Sequence, residues 1–108
     1  MKNQSIARNQ NAAAVYQWLR RVPAGKVVTY GQISNELNLH SARWVGQMIH
    51  RNPDPKTIPC HRVVFADGRL SPAYAFGGRR AQQAKLADEG VRLTRGKVDL
   101  KHYRFERR

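Results

Sequence analysis

Acidic residues are scarce in this sequence. Seven Asp and Glu stand against 20 Lys and Arg in 108 residues, a formal net charge of +13. None precedes Glu36, whereas Lys2, Arg8, Arg20, Arg21 and Lys26 all do. Cysteine is rarer still: one residue, Cys60, excludes an internal disulfide framework and a cysteine-rich zinc site. No stretch approaches the roughly 20 apolar residues of a membrane span. The polar start, Met1–Asn11, lacks the apolar centre of a secretory signal. These absences predict a soluble intracellular protein with no membrane association and room for one domain. The positive excess is spread along the chain. It serves solubility at the least, and more specifically it suits a polyanion, most simply nucleic acid.

Apolar spacing supplies the elements. Val15, Trp18, Leu19 and Val22 recur at helical intervals, predicting a helix from about Gln10 to Val22 that Pro23-Ala-Gly25 stops. Thr29 is an N-cap for a short helix, Tyr30 to about Asn38, with Ile33 and Leu37 inward. After a tight turn at Asn38-Leu-His40, Ser41 caps a third helix, Ala42 to about Arg51. Its inner face is Val45, Met48 and Ile49, and Arg43, Gln47, His50 and Arg51 are left outside. Two short helices joined by a tight turn, the second with a basic outer face, form a helix-turn-helix pattern.

Asn52-Pro-Asp-Pro55 ends the third helix. Ile58–Phe65 reads as a buried turn leading into a strand, and Leu70–Phe76 as a loop or short strand. Gly77-Gly78 links into a helix of about Arg79–Glu89, closed by Gly90 as a left-handed cap. Arg95-Gly96 is a turn within a terminal hairpin. The fold class expected is mainly α: a winged-helix-type helix-turn-helix domain with a small β element.

Cys60-His61 is the sharpest chemical feature. Pro59 fixes the entry to Cys60, and His61 with Arg62 places positive charge nearby, which favours thiolate. Ile58-Pro-Cys-His-Arg-Val-Val64 resembles the IPCHRV active-site motif of the O6-alkylguanine-DNA alkyltransferases. Val22-Pro-Ala-Gly-Lys-Val-Val-Thr-Tyr-Gly-Gln32 is similar to that family's VPxGxVxTYGQ segment. Ala42-Arg-Trp-Val-Gly46 resembles its ARAVG helix, Arg51-Asn-Pro53 its GNP hinge, and Gly77-Gly78 and Asp88-Glu-Gly90 its later glycine motifs. The resemblance runs from about Val15 to Leu93.

The resemblance implies a role for each residue. Cys60 would accept an alkyl group from guanine O6, His61 would be its base through water, and Glu89 would orient His61. Asn52 would brace the loops around Cys60. The target base must leave the duplex. The helix-turn-helix would do this from the minor groove, with Arg43 entering the stack and Tyr30 crowding a phosphate and donating a proton toward the leaving guanine. Ala42 and Gly46 would permit close approach, beside Gln47, His50 and Arg51. The substrate pocket would involve Val63, Trp44 and either Tyr74 or Phe76. Those last two stand in a loop about two residues longer than the family's, and Trp44 replaces a small residue. No metal and no cofactor are implied.

Three regions are expected: residues 1–9 as a flexible arm, 10–93 as the DNA-binding and active-site domain, and 94–108 as a basic tail. The partner expected is double-stranded DNA containing O6-alkylguanine, met by a monomer. The location expected is the cytoplasm and its nucleoid, or a nucleus in a eukaryote. The activity expected is irreversible, single-turnover alkyl transfer to Cys60. A first alternative comes from Asp99-Leu100-Lys-His-Tyr103-Arg104, which resembles the tail of the short alkyltransferase-like proteins. These sense the lesion without repairing it and recruit nucleotide excision repair proteins. A second alternative is a winged-helix transcription regulator.

Overall fold

The computed structural model describes residues 4–72 and 74–106, with side chains described from Ala12 onward. The first helix, α1, spans Gln4–Leu19. It therefore begins well before the expected Gln10, and residues 4–9 of the expected arm are helical; Met1–Asn3 lie outside the described residues. The apolar stripe starts late, but no Pro or Gly interrupts the segment before it, and Ala12–Ala14 are strong helix formers. Val15, Trp18, Leu19 and Val22 are all buried, as their spacing predicts.

A two-residue strand β1, Val28–Thr29, runs directly into α2, Tyr30–Glu36. The Thr29 side chain caps α2 by accepting from the Gln32 N–H at 3.0 Å. The turn to α3, Ala42–His50, places Asn38 and His40 at positive φ, 55° and 58°. Ser41 caps α3 through the Trp44 N–H at 3.0 Å, and Ser34 Oγ accepts from the Ser41 N–H at 2.9 Å. Two hydroxyls thus fix the angle between the helices. Tyr16 of α1 donates to the Met48 carbonyl at 2.8 Å, tying α1 to the end of α3.

A single 3₁₀ turn, Cys60–Arg62, precedes β2, Val63–Val64. β2 pairs in parallel with β1, Val28 opposite Val63 and Thr29 opposite Val64. This short ladder positions the site: Tyr30 follows one strand and Cys60–Arg62 precedes the other. The next helix, α4, spans Gly78–Asp88, with Gln82 and Leu86 buried one turn apart. Gly77 enters it at φ 119°, where an added Cβ would lie 2.6 Å from that of Ala81. Gly90 closes α4 at φ 86°, with the Gly90 N–H on Ala87 O and the Val91 N–H on Leu86 O. This is a complete Schellman cap, and Leu86 and Val91 pack in one cluster behind it.

The expected hairpin is present: β3, Leu93–Thr94, pairs antiparallel with β4, Lys97–Val98, across Arg95-Gly96 at positive φ. Residues 94–106 of the expected basic tail fold back onto the domain. Asp99 caps α5, Leu100–Tyr103, and the chain then runs alongside Val27 through Val27 N–H to Tyr103 O and Phe105 N–H to Val27 O. Its alternating apolar residues, Val98, Leu100, Tyr103 and Phe105, account for this, because they pack on the two core clusters. None of the described helices is long and apolar enough to cross a membrane.

Candidate DNA-binding and active site

A cavity of about 720 Å³ opens between α3 and the turn carrying Cys60. Ala42, Arg43, Gly46, Gln47, Ile49, His50 and Arg51 line one side; Cys60, Phe65, Ser71, Tyr74 and Ala75 line the other, with Tyr30 between. All six α3-region residues expected to face DNA therefore border the same opening. Gly46 sits 3.7 Å from the Tyr30 ring for a built Cβ, an ordinary contact, so internal packing does not demand glycine there. Its small size is available to whatever approaches α3.

Cys60 is buried at the cavity floor. Behind it, His61 Nε2 is 2.9 Å from Glu89 Oε2, so the expected His–Glu pair is formed. Burial lowers the His61 pKa, and the Glu89 hydrogen bond and charge offset this only in part. Burial alone would raise the Glu89 carboxyl, but Arg62 and His61 hydrogen bonds and charge outweigh it and leave it lowered. Arg62 donates to Glu89 through Nε at 2.9 Å and Nη2 at 2.6 Å, and to the Val22 carbonyl through Nη1 at 2.7 Å. Arg62 thus clamps Glu89, rather than serving the thiol or a DNA face.

Asn52 is buried and braces the loop before Cys60, as expected. Its Nδ2 donates to the Ile58 carbonyl at 2.7 Å, and its Oδ1 accepts from the Asp54 N–H at 2.8 Å. The Tyr30 pKa is raised by burial, while a hydrogen bond with Ser71 pulls it back in part. Among the described residues, no cluster of three His, Cys, Asp or Glu side chains could hold a metal ion.

A family model described as 6-O-methylguanine DNA methyltransferase, DNA binding domain, matches residues 10–91. The chain belongs to this family. The methylated-DNA–protein-cysteine methyltransferase of Thermococcus kodakarensis is 43% identical over 79 residues, covering 72% of this chain and 43% of that protein. Alkyltransferase-like protein 1 of Schizosaccharomyces pombe is 38% identical over 81 residues, covering 73% of this chain and 74% of that protein. The solved S. pombe Atl1, in complex with damaged DNA containing O6-carboxymethylguanine, superposes with a TM-score of 0.80 at 30% identity. That superposition covers 92% of this chain and 97% of Atl1. The fold is accordingly the helix-turn-helix type of this family. The chain spans less than half the length of the first two curated methyltransferases it matches, 30% and 43%.

Three expected pocket residues are corrected within this family framework. Val63 is wholly buried in the main core, because its strand pairing with Val28 turns it inward. Trp44 packs against that core from the flank of α3, about 100° round the helix from Arg43, away from the cavity. Phe76 stands edge-on to Tyr74, ring centroids 5.8 Å apart, and of these two rings it is Tyr74 that lines the cavity.

Gln82, Ser71 and Phe65 are site residues that sequence patterns did not single out. Gln82 is 1% exposed; its Nε2 donates to the His61 and Val63 carbonyls and its Oε1 accepts from the Ser71 N–H. Its signal in the sequence was a polar residue four positions before Leu86, on the helix's buried stripe. Phe65 lies against Tyr30, centroids 5.6 Å apart, with Arg69 over its outer face.

Proposed function

We propose that this chain binds duplex DNA, turns an O6-alkylguanine into the cavity, and takes the alkyl group onto Cys60. The observation that carries the reading is the placement of Cys60 in a cavity rimmed by α3, with the His61–Glu89 pair behind it. With Nε2–H donated to Glu89, neutral His61 leaves Nδ1 as an acceptor for the Cys60 proton, relayed by a water. The thiolate attacks the alkyl carbon; the S–C bond forms as the C–O6 bond breaks. The guanine leaves with that electron pair and takes a proton from Tyr30, which is restored from the imidazolium through solvent. The thioether is a poor leaving group, so each molecule acts once and needs no cofactor.

Arg43 fills the space vacated in the stack, and the positive excess supplies affinity for the phosphates with steep salt dependence. The minor groove suits this binding, because lesion scanning requires backbone contacts tolerant of sequence. A monomer suffices, since the cavity is built from one chain.

One observation favours a second reading, lesion sensing without transfer. The superposition on Atl1 takes in 92% of this chain with a TM-score of 0.80, against 74% and 0.66 for the solved methyltransferase of Pyrococcus kodakaraensis. A sensor would hand the lesion to nucleotide excision repair proteins. The transcription-regulator reading gains no support from the family match.

The deciding experiment incubates the protein with an O6-methylguanine duplex and weighs the peptide containing Cys60. A methyl increment on that peptide is the expected result. Tight, lesion-selective binding without the increment makes the protein a sensor, and binding blind to the lesion removes both readings.

A further inference from the structure

Tyr74 presents a chemical problem that neither the fold nor the alkyl-transfer reading resolves. Its side chain is 9% exposed and lines the cavity, yet its hydroxyl is buried without a conventional hydrogen-bond partner. Cys60 lines the same cavity and packs in the same core cluster. A thiol is a weak acceptor, whereas a thiolate is a strong, charged one, and a charge-assisted hydrogen bond is about twice as strong as a neutral one. The hydroxyl therefore gains a full partner only when Cys60 ionises.

Arg62 and His61, the nitrogen donors beside Cys60 in the chain, are already engaged. Arg62 holds Glu89 and the Val22 carbonyl. His61 directs Nε2 to Glu89. Tyr74 is meanwhile held in place from behind. Phe76 meets its ring edge-on, and the Lys85 ammonium lies 5.7 Å from its ring centroid. A cation over the ring draws electron density and strengthens the O–H as a donor.

We propose that Tyr74 is a further catalytic residue of this site, donating a hydrogen bond from its hydroxyl to the Cys60 thiolate. Burial first, and then the sulfur itself, push the phenol pKa far up, so Tyr74 keeps its proton and remains a donor. As a role in transfer this rests on the function proposed above; as an effect on the thiol it stands alone. Alkylation removes the negative charge on sulfur, so the bond is strongest before reaction and weakest after it.

The test titrates the thiolate by its ultraviolet absorbance, with Cys60→Ser as the blank, since Cys60 is the sole cysteine. Tyr74→Phe keeps the ring and deletes a hydroxyl that secures nothing else, so its fold is retained. Tyr30 from α2, Arg43 and His50 from α3, Arg51 at its end, His61, and Lys85 from α4 face the cavity or its wall and stay unchanged. The expected result is a midpoint raised by about one pH unit, about tenfold less thiolate at a pH below both midpoints. Tyr30→Phe, whose hydroxyl also bonds with Ser71, moves the midpoint less. An unchanged or lowered midpoint in Tyr74→Phe overturns the proposal, as does a larger shift in Tyr30→Phe. No DNA is needed, so the midpoint decides the matter even for a protein that never alkylates Cys60. If transfer occurs, Tyr74→Phe slows it at low pH and approaches wild type where both thiols are fully ionised.

Discussion

His61 and Glu89, 28 residues apart in sequence, meet through Nε2 and Oε2 at 2.9 Å. Because burial lowers the His61 pKa from 6.5, the ring is neutral at neutral pH and Glu89 fixes which nitrogen carries the proton. Both lowered groups act in the same direction on stability. The unfolded chain takes up protons first as pH falls, so the stability they contribute is complete above about 6.5 for His61 and above about 4.5 for Glu89. It is lost as pH falls through their folded values. Thermal melts should therefore hold steady above pH 6.5 and decline in two stages below it. Glu89→Gln should weaken the more acidic stage, lower the melting temperature at neutral pH by unpairing Arg62, and slow alkyl transfer about tenfold or more.

Gln82 links α4 to the site from inside. Replacing it with Leu keeps the volume and leaves the His61 and Val63 carbonyls and the Ser71 N–H without their partner. Unsatisfied buried groups cost about 1–3 kcal/mol each, partly relieved by water at the Ser71 side. We expect a loss of about 2–4 kcal/mol in urea denaturation. Retained stability would mean that these backbone groups find other partners.

Variants at Arg43 and Tyr30 should separate lesion engagement from chemistry. Arg43 is exposed, so Arg43→Ala should change stability by less than about 0.5 kcal/mol. It should nevertheless reduce the fluorescence of an unstacked base analogue at the lesion. Tyr30 is held protonated by burial. Tyr30→Phe should slow transfer at saturating protein about tenfold or more while changing lesion affinity less.

Local rules made most of the fold legible. Thr29 and Ser41 cap their helices as small hydroxyl residues should, and Gly90 and Arg95-Gly96 take the positive φ that their turns require. Val15, Trp18, Leu19 and Val22 bury together because their spacing leaves one face. The candidate site was legible where a motif carried it: Cys60, His61, Asn52 and Glu89. Tertiary relations were not legible. Nothing local distinguishes Tyr74 from Phe76, or sends Arg62 to Glu89 instead of toward the thiol. Those choices depend on where α4 packs, a contact between segments about 20–30 residues apart.

The C-terminal segment shows the same limit, because composition marked it as a charge reservoir while its apolar residues make it part of the fold. Phe105 packs edge-on to Trp18 with centroids 6.0 Å apart, and its carbonyl accepts from Gln32 Nε2 at 2.6 Å. It thereby secures α2, which carries Tyr30. Lys101 and Arg104 on the same segment are exposed. The two classes should separate experimentally. Phe105→Ala should lower stability by about 1–2 kcal/mol through lost aromatic burial and reduce site occupancy at all salt concentrations. Lys101→Gln with Arg104→Gln should leave the denaturation midpoint almost unmoved. If each cation meets a phosphate, the pair should flatten the log–log salt dependence of DNA binding by about 0.9 for each phosphate left unneutralised. An unchanged slope would assign these charges to solubility, and a stable Phe105→Ala would show that α2 is held by its own cap and by the β1–β2 pairing.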